Sequence, residues 1–320
     1  MKLPNYLLTE ADYSQGEWVI VAYMSQDKNM LRVVTQHFDA HATTAELMLN
    51  FPYEWAKKED KFIDKVTDAA DLRDKRAEFI ATYPEVALLY NKATVVPPTM
   101  TFRQSGKKDN HSLNYDIGAF EYAKKNRVDV ATAKLHRNLY YTVAYPGLPQ
   151  WHQEMQELVR ATKSYTNPFG RKRVFLRSLG DKLYKEFYAN APQSTLVDCT
   201  NQALYQLYHS DDEDLIDCIY SLHGHDSLTI QFPLAKGKAS FLRFLEKLTN
   251  TMRIPITIKN QTFKLDIDIK AGFGGGQALK GITIEKVEAT PWEQFLEELM
   301  TTRTELKAKS NLEAESLTAE

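Results

Sequence analysis

Strand-like sequence opens and closes this chain, and a long helical stretch separates the two ends. That order narrows the fold more than any other feature. The opening segment YLLTEADYSQGEWVIVAYMS reads as a strand ending near Asp12, followed by a turn or helix start around residues 14–17. From about residue 40 to 165 the pattern is helical, broken at Pro52, Pro84, Pro97-Pro98 and Pro146-Gly147, and residues 173–210 are also mainly helical. The texture then changes. DCIYSLHGHDSLTIQF, residues 217–232, reads as a hairpin centred on residues 224–227, with a helix following around 239–252. TFKLDIDIK, residues 262–270, alternates Phe263, Leu265, Ile267 and Ile269 with polar residues, as a half-buried strand does, and GITIEKVE alternates again after the glycine-rich AGFGGGQ. Two strand-bearing ends can share one antiparallel sheet with the helical middle as an inserted lobe, so the expected fold class is α+β.

Composition limits the function classes. The 320 residues are 43% hydrophobic and 26% charged, which suits a globular chain with a sizeable core. No apolar run approaches the roughly 18 residues that span a bilayer, and the N-terminus lacks a signal-peptide pattern, so the expectation is a cytoplasmic protein with no membrane partner. Cys199 and Cys218 form no metal-ligand spacing and read as buried, inert thiols. The net charge of −2 conceals local segregation, with basic clusters at Arg103, Lys107 and Lys108, at Lys124, Lys125 and Arg127, and at Arg171, Lys172 and Arg173. A nearly neutral protein can in this way present a positive face to phosphates. The last residues, TELKAKSNLEAESLTAE, are charged and poor in large apolar groups, so fraying or disorder is expected there.

Several residues could carry chemistry. Asp12 stands where a strand ends and Asp226 at a hairpin tip; a shared sheet would bring the two carboxylates together as ligands for a hard cation such as Mg²⁺. Taken singly, each is an ordinary turn residue. Arg103, Lys107, His111 and Tyr115 recur every four residues, a step of about 400° on a helix, and so form one slowly drifting stripe. Two cations followed by two rings could hold a triphosphate at one end and stack a base at the other. His223 and His225 beside Asp226 admit a phosphoesterase-type metal site, although HxHD alone is weak. AGFGGGQ lacks the Lys-Ser/Thr of a phosphate-binding loop and reads as a tight turn.

In order, these segments resemble the motifs of the family A (DNA polymerase I-like) DNA polymerases. DYSQGEW at 12–18 resembles the first palm motif, commonly DYSQIEL, with Gly16 and Trp18 replacing aliphatics and Val19 where arginine is frequent. RQSGKKDNHSLNYD at 103–116 resembles the fingers helix motif RxxxKxxNFGxxYG, with Arg103, Lys107, Asn110 and Tyr115 in register. His111, Ser112 and Asp116 depart from it. HGHDS at 223–227 resembles the last palm motif QVHDE, with Ser227 in place of glutamate. NPFGRKR at 167–173, NAPQST at 190–195 and DAH at 39–41 resemble TLxGRRR, NxPxQGT (with one residue deleted) and DIH. Together the motifs cover about residues 8 to 275.

The resemblance implies a DNA-directed DNA polymerase adding dNTPs to the primer of a primer–template. Asp12, Asp226 and the Tyr13 carbonyl would hold two Mg²⁺ ions, with Mn²⁺ as a substitute. Glu17 would be the steric gate against ribose. Arg103, Lys107 and His41 would hold the triphosphate, Lys107 counting with the two aspartates as catalytic through the charge it neutralises. Tyr115 would stack near the templating base and His111 would pack on the incoming nucleotide. Gln15, Gln193, His225 and Arg171 would contact the nucleotide or the DNA. The domain expectation is palm at 1–25 and 186–290, helical fingers at 26–185 with an insertion near 51–99, and a C-terminal helix and disordered tail at 291–320. The family normally carries a thumb and an exonuclease-type domain before its first palm motif. A partner polypeptide bearing thumb and 3′–5′ exonuclease is therefore expected, as in a split polymerase of phage type working in the host cytoplasm. Two rival readings are a two-metal nuclease or phosphoesterase, which leaves the Arg103–Tyr115 stripe without a role, and a non-catalytic nucleic-acid-binding relic.

Overall fold

The structure, a computed structural model, describes residues 5–274 and 278–317; residues 1–4, the end of the glycine-rich stretch, 275–277, and the end of the charged tail, 318–320, lie outside the described residues. The first part of the chain runs β1 (Tyr6–Tyr13), α1 (Gly16–Ser25), α2 (Lys28–Thr35), α3 (Ala40–Leu49), α4 (Tyr53–Phe62), α5 (Ala69–Thr82), α6 (Ala87–Lys92) and α7 (Phe102–Leu113). There follow α8 (Ala119–Asn126), α9 (Val130–Leu139), α10 (Leu148–Thr162), the short strands β2 (Ser164–Thr166) and β3 (Lys172–Val174), and α11 (Asp181–Tyr208). The last part is β4 (Ile219–His223), β5 (Ser227–Pro233), α12 (Gly237–Met252), β6 (Ile256–Ile258), β7 (Gln261–Phe263), β8 (Ile267–Gly272), β9 (Lys280–Ile282), α13 (Ile284–Ala289) and α14 (Trp292–Leu317). The fold is a mixed helical and antiparallel-sheet architecture. It divides into two compact units, residues 1–16, 194–257 and 262–320 in one, and 17–193 with 258–261 in the other.

The first unit is built on a five-stranded sheet of order β4-β5-β1-β8-β9 whose pairs are antiparallel. The opening strand thus sits at the centre of a sheet completed by strands more than 200 residues later. Alternation along β1 decides which side chains go in: Leu7, Thr9, Ala11 and Tyr13 are buried, while Leu8, Glu10 and Asp12 are half-buried on the other face. In register with them, Leu228, Ile230 and Phe232 of β5 and Ile269 and Ala271 of β8 complete the inner face. The α12 rings of Phe241 and Phe244 pack on Phe232 at centroid distances of 5.0 and 5.1 Å, and Phe295 of α14 packs on Phe241 at 6.2 Å. Burial of each such ring stabilises by about 2 kcal/mol. Tyr13 ends the inner row by donating its hydroxyl to the Met252 carbonyl at 2.6 Å.

Two sequence expectations are corrected here. The alternating stretch 262–270 is not one strand. It breaks at residues 264–266, so β7 pairs with β6 in a separate ribbon while β8 joins the main sheet. Period-2 burial survives the break, with Phe263 buried before it, Leu265 within it and Ile269 after it, and so conceals it in the sequence. Likewise only the start of GITIEKVE is strand. Thr283 caps α13 by accepting the Lys286 amide at 3.2 Å, and a local cap outcompetes a short alternation.

Residues 17–193 of the second unit are helical apart from the β2–β3 hairpin. Aspartates at the helix starts organise it: Asp27, Asp39, Asp68 and Asp129 each accept backbone amides of the following first turn. Thr101 and Gln104 form a capping box at the start of α7. α3 and α7 cross closely because of Gly106, where a Cβ would lie 2.3 Å from the His41 carbonyl oxygen. Asn110, one turn later, is 1% exposed; its Oδ1 lies 3.0 Å from the hydroxyls of Thr44 and Tyr140, and its amide donates to His41 Nδ1 at 3.1 Å. Deeper still, the fully buried Asp109 accepts the Tyr122 hydroxyl and lies 3.4 Å from His136 Nδ1. No helix among the described residues is long and apolar enough to cross a membrane.

Candidate active site

On the polar face of the sheet, the central strand carries Asp12 to a point directly opposite Ser227 of β5 and Asp268 of β8. One residue on, the Tyr13 amide donates to the Asp226 carbonyl oxygen at 3.0 Å. Asp12 and Asp226, 214 positions apart in the chain, are therefore neighbours because β1 and β5 pair. Burial, followed by the negative charge of Asp226, raises the Asp12 carboxyl to about 6, with Lys270 opposing. Lys270 is itself tied to Glu10 at 2.7 Å. Asp12 Oδ1 is buried without a hydrogen-bond partner. Two adjacent carboxylates, one with an orphaned buried oxygen, make a donor set suited to a hard divalent cation. Mg²⁺ is commonly held by one or two carboxylates, with water and substrate phosphates completing its shell. Among the described residues no group of three or more His, Cys, Asp or Glu side chains is placed to hold a metal ion.

Around this pair the sequence departures acquire local reasons. Gly16 stands at the start of α1, where a Cβ would meet Leu196 Cδ1 of α11 at 2.8 Å. Gln15 adopts a left-handed backbone, φ 52°, in the turn between β1 and α1. His223 ends β4, whereas His225 lies in the β4–β5 turn beside Asp226, so the two histidines do not share a strand face. The His225 side chain is exposed, and its carbonyl accepts the Thr200 hydroxyl at 3.2 Å. Cys199 and Cys218 are buried free thiols, both pushed up to about 12 chiefly by burial.

The cationic stripe belongs to the second unit. Arg103, Lys107 and His111 lie on α7, and Tyr115 lies just beyond its C-terminal end. Lys107 and His111 are exposed, Arg103 and Tyr115 half-buried. Arg103 is held by two carboxylates: Asp39 at 2.8 Å and Asp60 at 3.0 Å. Asp39 does double duty, since its other oxygen caps α3 by accepting the His41 and Ala42 amides, each at 2.9 Å. His41 is buried, and its ring lies 5.9 Å from that of His111, tilted by 41°. Burial first, then the neighbouring cations, push its imidazole down to about 3 despite Asp39, so it is neutral at pH 7 and, with Nδ1 accepting from Asn110, keeps its proton on Nε2. It can donate a hydrogen bond but supplies no charge. Burial and the lysines Lys107, Lys108 and Lys125 also lower the His111 imidazole. Tyr115 donates its hydroxyl to the Glu17 carboxylate, and burial together with Glu17 raises that phenol well above its ordinary range.

Arg171 is exposed at the β2–β3 turn, and Gln193 is exposed on α11 immediately after Pro192. Sequence reasoning missed three elements of this arrangement. Asp268 lay in the polar phase of an alternating stretch read only for its apolar residues. The Asp39 and Asp60 clamp on Arg103 joins residues 64 and 43 positions away from it. The lysines of α4 carried no motif.

No protein-family model matches the chain. Among curated proteins it is similar to DNA polymerase I of Treponema pallidum, 24% identical over 237 residues, which are 72% of this chain and 19% of that protein. It is similar to the thermostable DNA polymerase I of Thermus aquaticus at 21% identity, over 73% of this chain and 24% of the relative. DNA polymerase I of Chloroflexus aurantiacus is 25% identical over 72% of this chain and 20% of the relative. The chain thus spans about a fifth to a quarter of the length of these relatives. Among solved structures it shares the fold of the POL domain of Pol1 from M. smegmatis in complex with DNA primer-template and dNTP, with a TM-score of 0.60 and 18% identity over 84% of this chain and 40% of that one. The ordered motifs, the likeness to several DNA polymerase I sequences and the fold of a polymerase domain agree: the chain is similar to a portion of the DNA polymerase I-like, family A polymerases.

Proposed function

We propose that this chain is the catalytic portion of a template-directed DNA polymerase, which adds dNTPs to a primer 3′-hydroxyl by two-metal phosphoryl transfer. The observation that carries the reading is the adjacency of Asp12 and Asp226, with the Asp12 carboxyl raised by burial and then by its neighbour, and one of its oxygens buried and unpartnered. In the reaction the primer 3′-hydroxyl loses its proton to solvent, its oxygen bonds to the α-phosphorus, the bond from that phosphorus to the bridging oxygen breaks, and pyrophosphate leaves. Asp12, Asp226 and the Tyr13 carbonyl would hold two Mg²⁺ ions, with Mn²⁺ as a substitute. Such ions, when bound, stabilise the attacking and leaving oxygens.

The remaining roles fall to the chain's own side chains. Lys107 and Arg103 bind the triphosphate and neutralise the charge that grows on the leaving group. His41, neutral, contributes a hydrogen-bond donor rather than a cation. Glu17, oriented by the Tyr115 hydroxyl, narrows the sugar site against a 2′-hydroxyl. His111 packs on the incoming nucleotide and Tyr115 near the templating base. Gln15, Gln193, His225 and Arg171 contact the primer–template. In domain terms, residues 1–25 and 186–290 act as palm, 26–185 as fingers with an insertion near 51–99, and 291–320 as a C-terminal extension. A partner polypeptide supplying thumb and 3′–5′ exonuclease completes the proposal.

Extension of a labelled primer–template with Mg²⁺ and dNTPs, with and without candidate partners, is the test. Extension that disappears in Asp226→Ala supports the reading. Degradation of the primer in the absence of dNTPs replaces it with a nuclease. DNA binding with neither activity replaces it with a non-catalytic relic.

A further inference from the structure

α4 lies within the segment read as an insertion and presents two dissimilar faces. Its inward residue Glu59 is fully buried and is bonded three times: by the Phe102 amide at 2.8 Å, Arg76 Nε at 2.8 Å and the Tyr90 hydroxyl at 2.9 Å. The Phe102 bond fixes α4 against the first turn of α7. Asp60 reinforces it, accepting the Thr101 hydroxyl at 2.6 Å and Arg103 at 3.0 Å. On the outward face, Lys57, Lys58 and Lys61 recur at helical spacing and are exposed. With Arg103 they line a pocket of about 630 Å³, which also includes Trp55, Glu54 and Asp60. Four cations therefore face two carboxylates, and one of those carboxylates is already committed to Arg103 and Thr101. Among the described residues none of the three lysines forms an ion pair.

We propose that this pocket is a polyphosphate subsite, in which Lys57 and Lys61 extend the Arg103 end of α7 to bind the phosphate chain of a nucleotide or the pyrophosphate released from it. The inference rests on the polymerase reading for the source of the polyphosphate. Lysine ammonium groups serve as mobile point charges for phosphate oxygens, and Arg103, fixed by Asp39 and Asp60, adds an oriented positive charge beside them. The pocket volume exceeds what one phosphate needs and lies in the range of small-ligand sites. A phosphate chain suits it better than a stacked single strand, because the Trp55 ring is covered by Lys58 Nζ at 4.5 Å and packs against Tyr83 at 5.8 Å. No open aromatic platform is left for a base.

The test is calorimetric titration of the full chain with inorganic pyrophosphate and, separately, with dATP, comparing the wild type with Lys57→Ala/Lys61→Ala and Lys57→Arg/Lys61→Arg. Loss of two charge-assisted contacts should weaken binding about tenfold or more in the alanine variant, and the arginine variant should restore it. Weakening in the dATP arm assigns the subsite to the triphosphate, and weakening confined to pyrophosphate assigns it to the released product. Unchanged affinity in both arms overturns the proposal, as does a single-stranded oligonucleotide that binds in a lysine-dependent way while pyrophosphate does not. Primer extension by the same wild-type preparation separates the two readings. Extension with lysine-independent binding sinks only the subsite, and lysine-dependent binding without extension sinks only the polymerase.

Discussion

Asp39 holds Arg103 with one carboxylate oxygen, at 2.8 Å, while the other caps the helix that carries His41. A single side chain thus ties the orientation of the α7 arginine to the start of α3. Burial opposes ionisation of Asp39, but the Ala42 amide and Arg103 outweigh it and hold the carboxyl below its ordinary range.

Asp39→Ala removes both the cap and the charged partner. The expected cost is about 2–3 kcal/mol, from about 1 for the cap and the rest for a charge-assisted hydrogen bond. Asp39→Asn keeps a capping oxygen and should lose only about 1 kcal/mol. Urea denaturation of the two variants checks this; equal losses would show that the cap and the ion pair are not separate contributions.

Gly106 sets two effects against each other. Alanine is the better helix former by about 1 kcal/mol. Its methyl would, however, lie 2.3 Å from the His41 carbonyl oxygen, a backbone atom that cannot rotate away. Overpacking of this kind costs about 1–3 kcal/mol, so Gly106→Ala should be net destabilising by about 1 kcal/mol or more. A thermal midpoint at or above wild type would show that the α3–α7 crossing yields easily.

Asn110→Ala leaves the buried hydroxyls of Thr44 and Tyr140 and the His41 ring short of one partner each. The Thr44 and Tyr140 hydroxyls keep the Ala40 carbonyl and Asn114 Oδ1 as acceptors, so the orphaned group is the His41 ring nitrogen and a loss of about 1–3 kcal/mol is expected. The same variant should change the proton exchange of His41 Nε2–H in NMR spectra, because Asn110 sets its tautomer. An unaltered imidazole signal would detach His41 from Asn110.

The Asp12 carboxyl, raised to about 6 by burial and by Asp226, gives a signed pH dependence. Between about pH 4, its unfolded value, and pH 6 the folded protein binds this proton more tightly than the unfolded chain. The contribution of Asp12 to stability is therefore greatest below that window and declines as pH rises through it. Subtracting the stability profile of Asp12→Asn from that of the wild type should expose the decline. Above pH 6, MgCl₂ should raise the melting temperature of the wild type and leave Asp12→Asn little changed. A metal-independent melting temperature in both proteins would remove the cation from the Asp12–Asp226 pair.

Much of the fold was legible locally. The alternation in β1, the hairpin carrying Asp226 and the helix around 239–252 all follow from periodicity that any short window contains. The stretch 262–270 was misread because the same alternation continues across a bend at 264–266, where neighbouring strands, not residue type, decide the partner. Residues 284–289 were misread because one capping threonine outweighed a brief period-2 pattern.

The sequence by itself determined the order of motifs, the α+β class and the identities of the two aspartates and the α7 cations, since residue type and spacing are properties of the chain. Only tertiary pairing decided that Asp12 stands between Ser227 and Asp268, that Arg103 is clamped by Asp39 and Asp60, and that the lysines of α4 open onto the same pocket as Arg103. The physical reason is one of range: backbone propensities act over a few residues, whereas the electrostatic environment of a carboxylate or a guanidinium depends on whatever folding brings within a few ångströms of it.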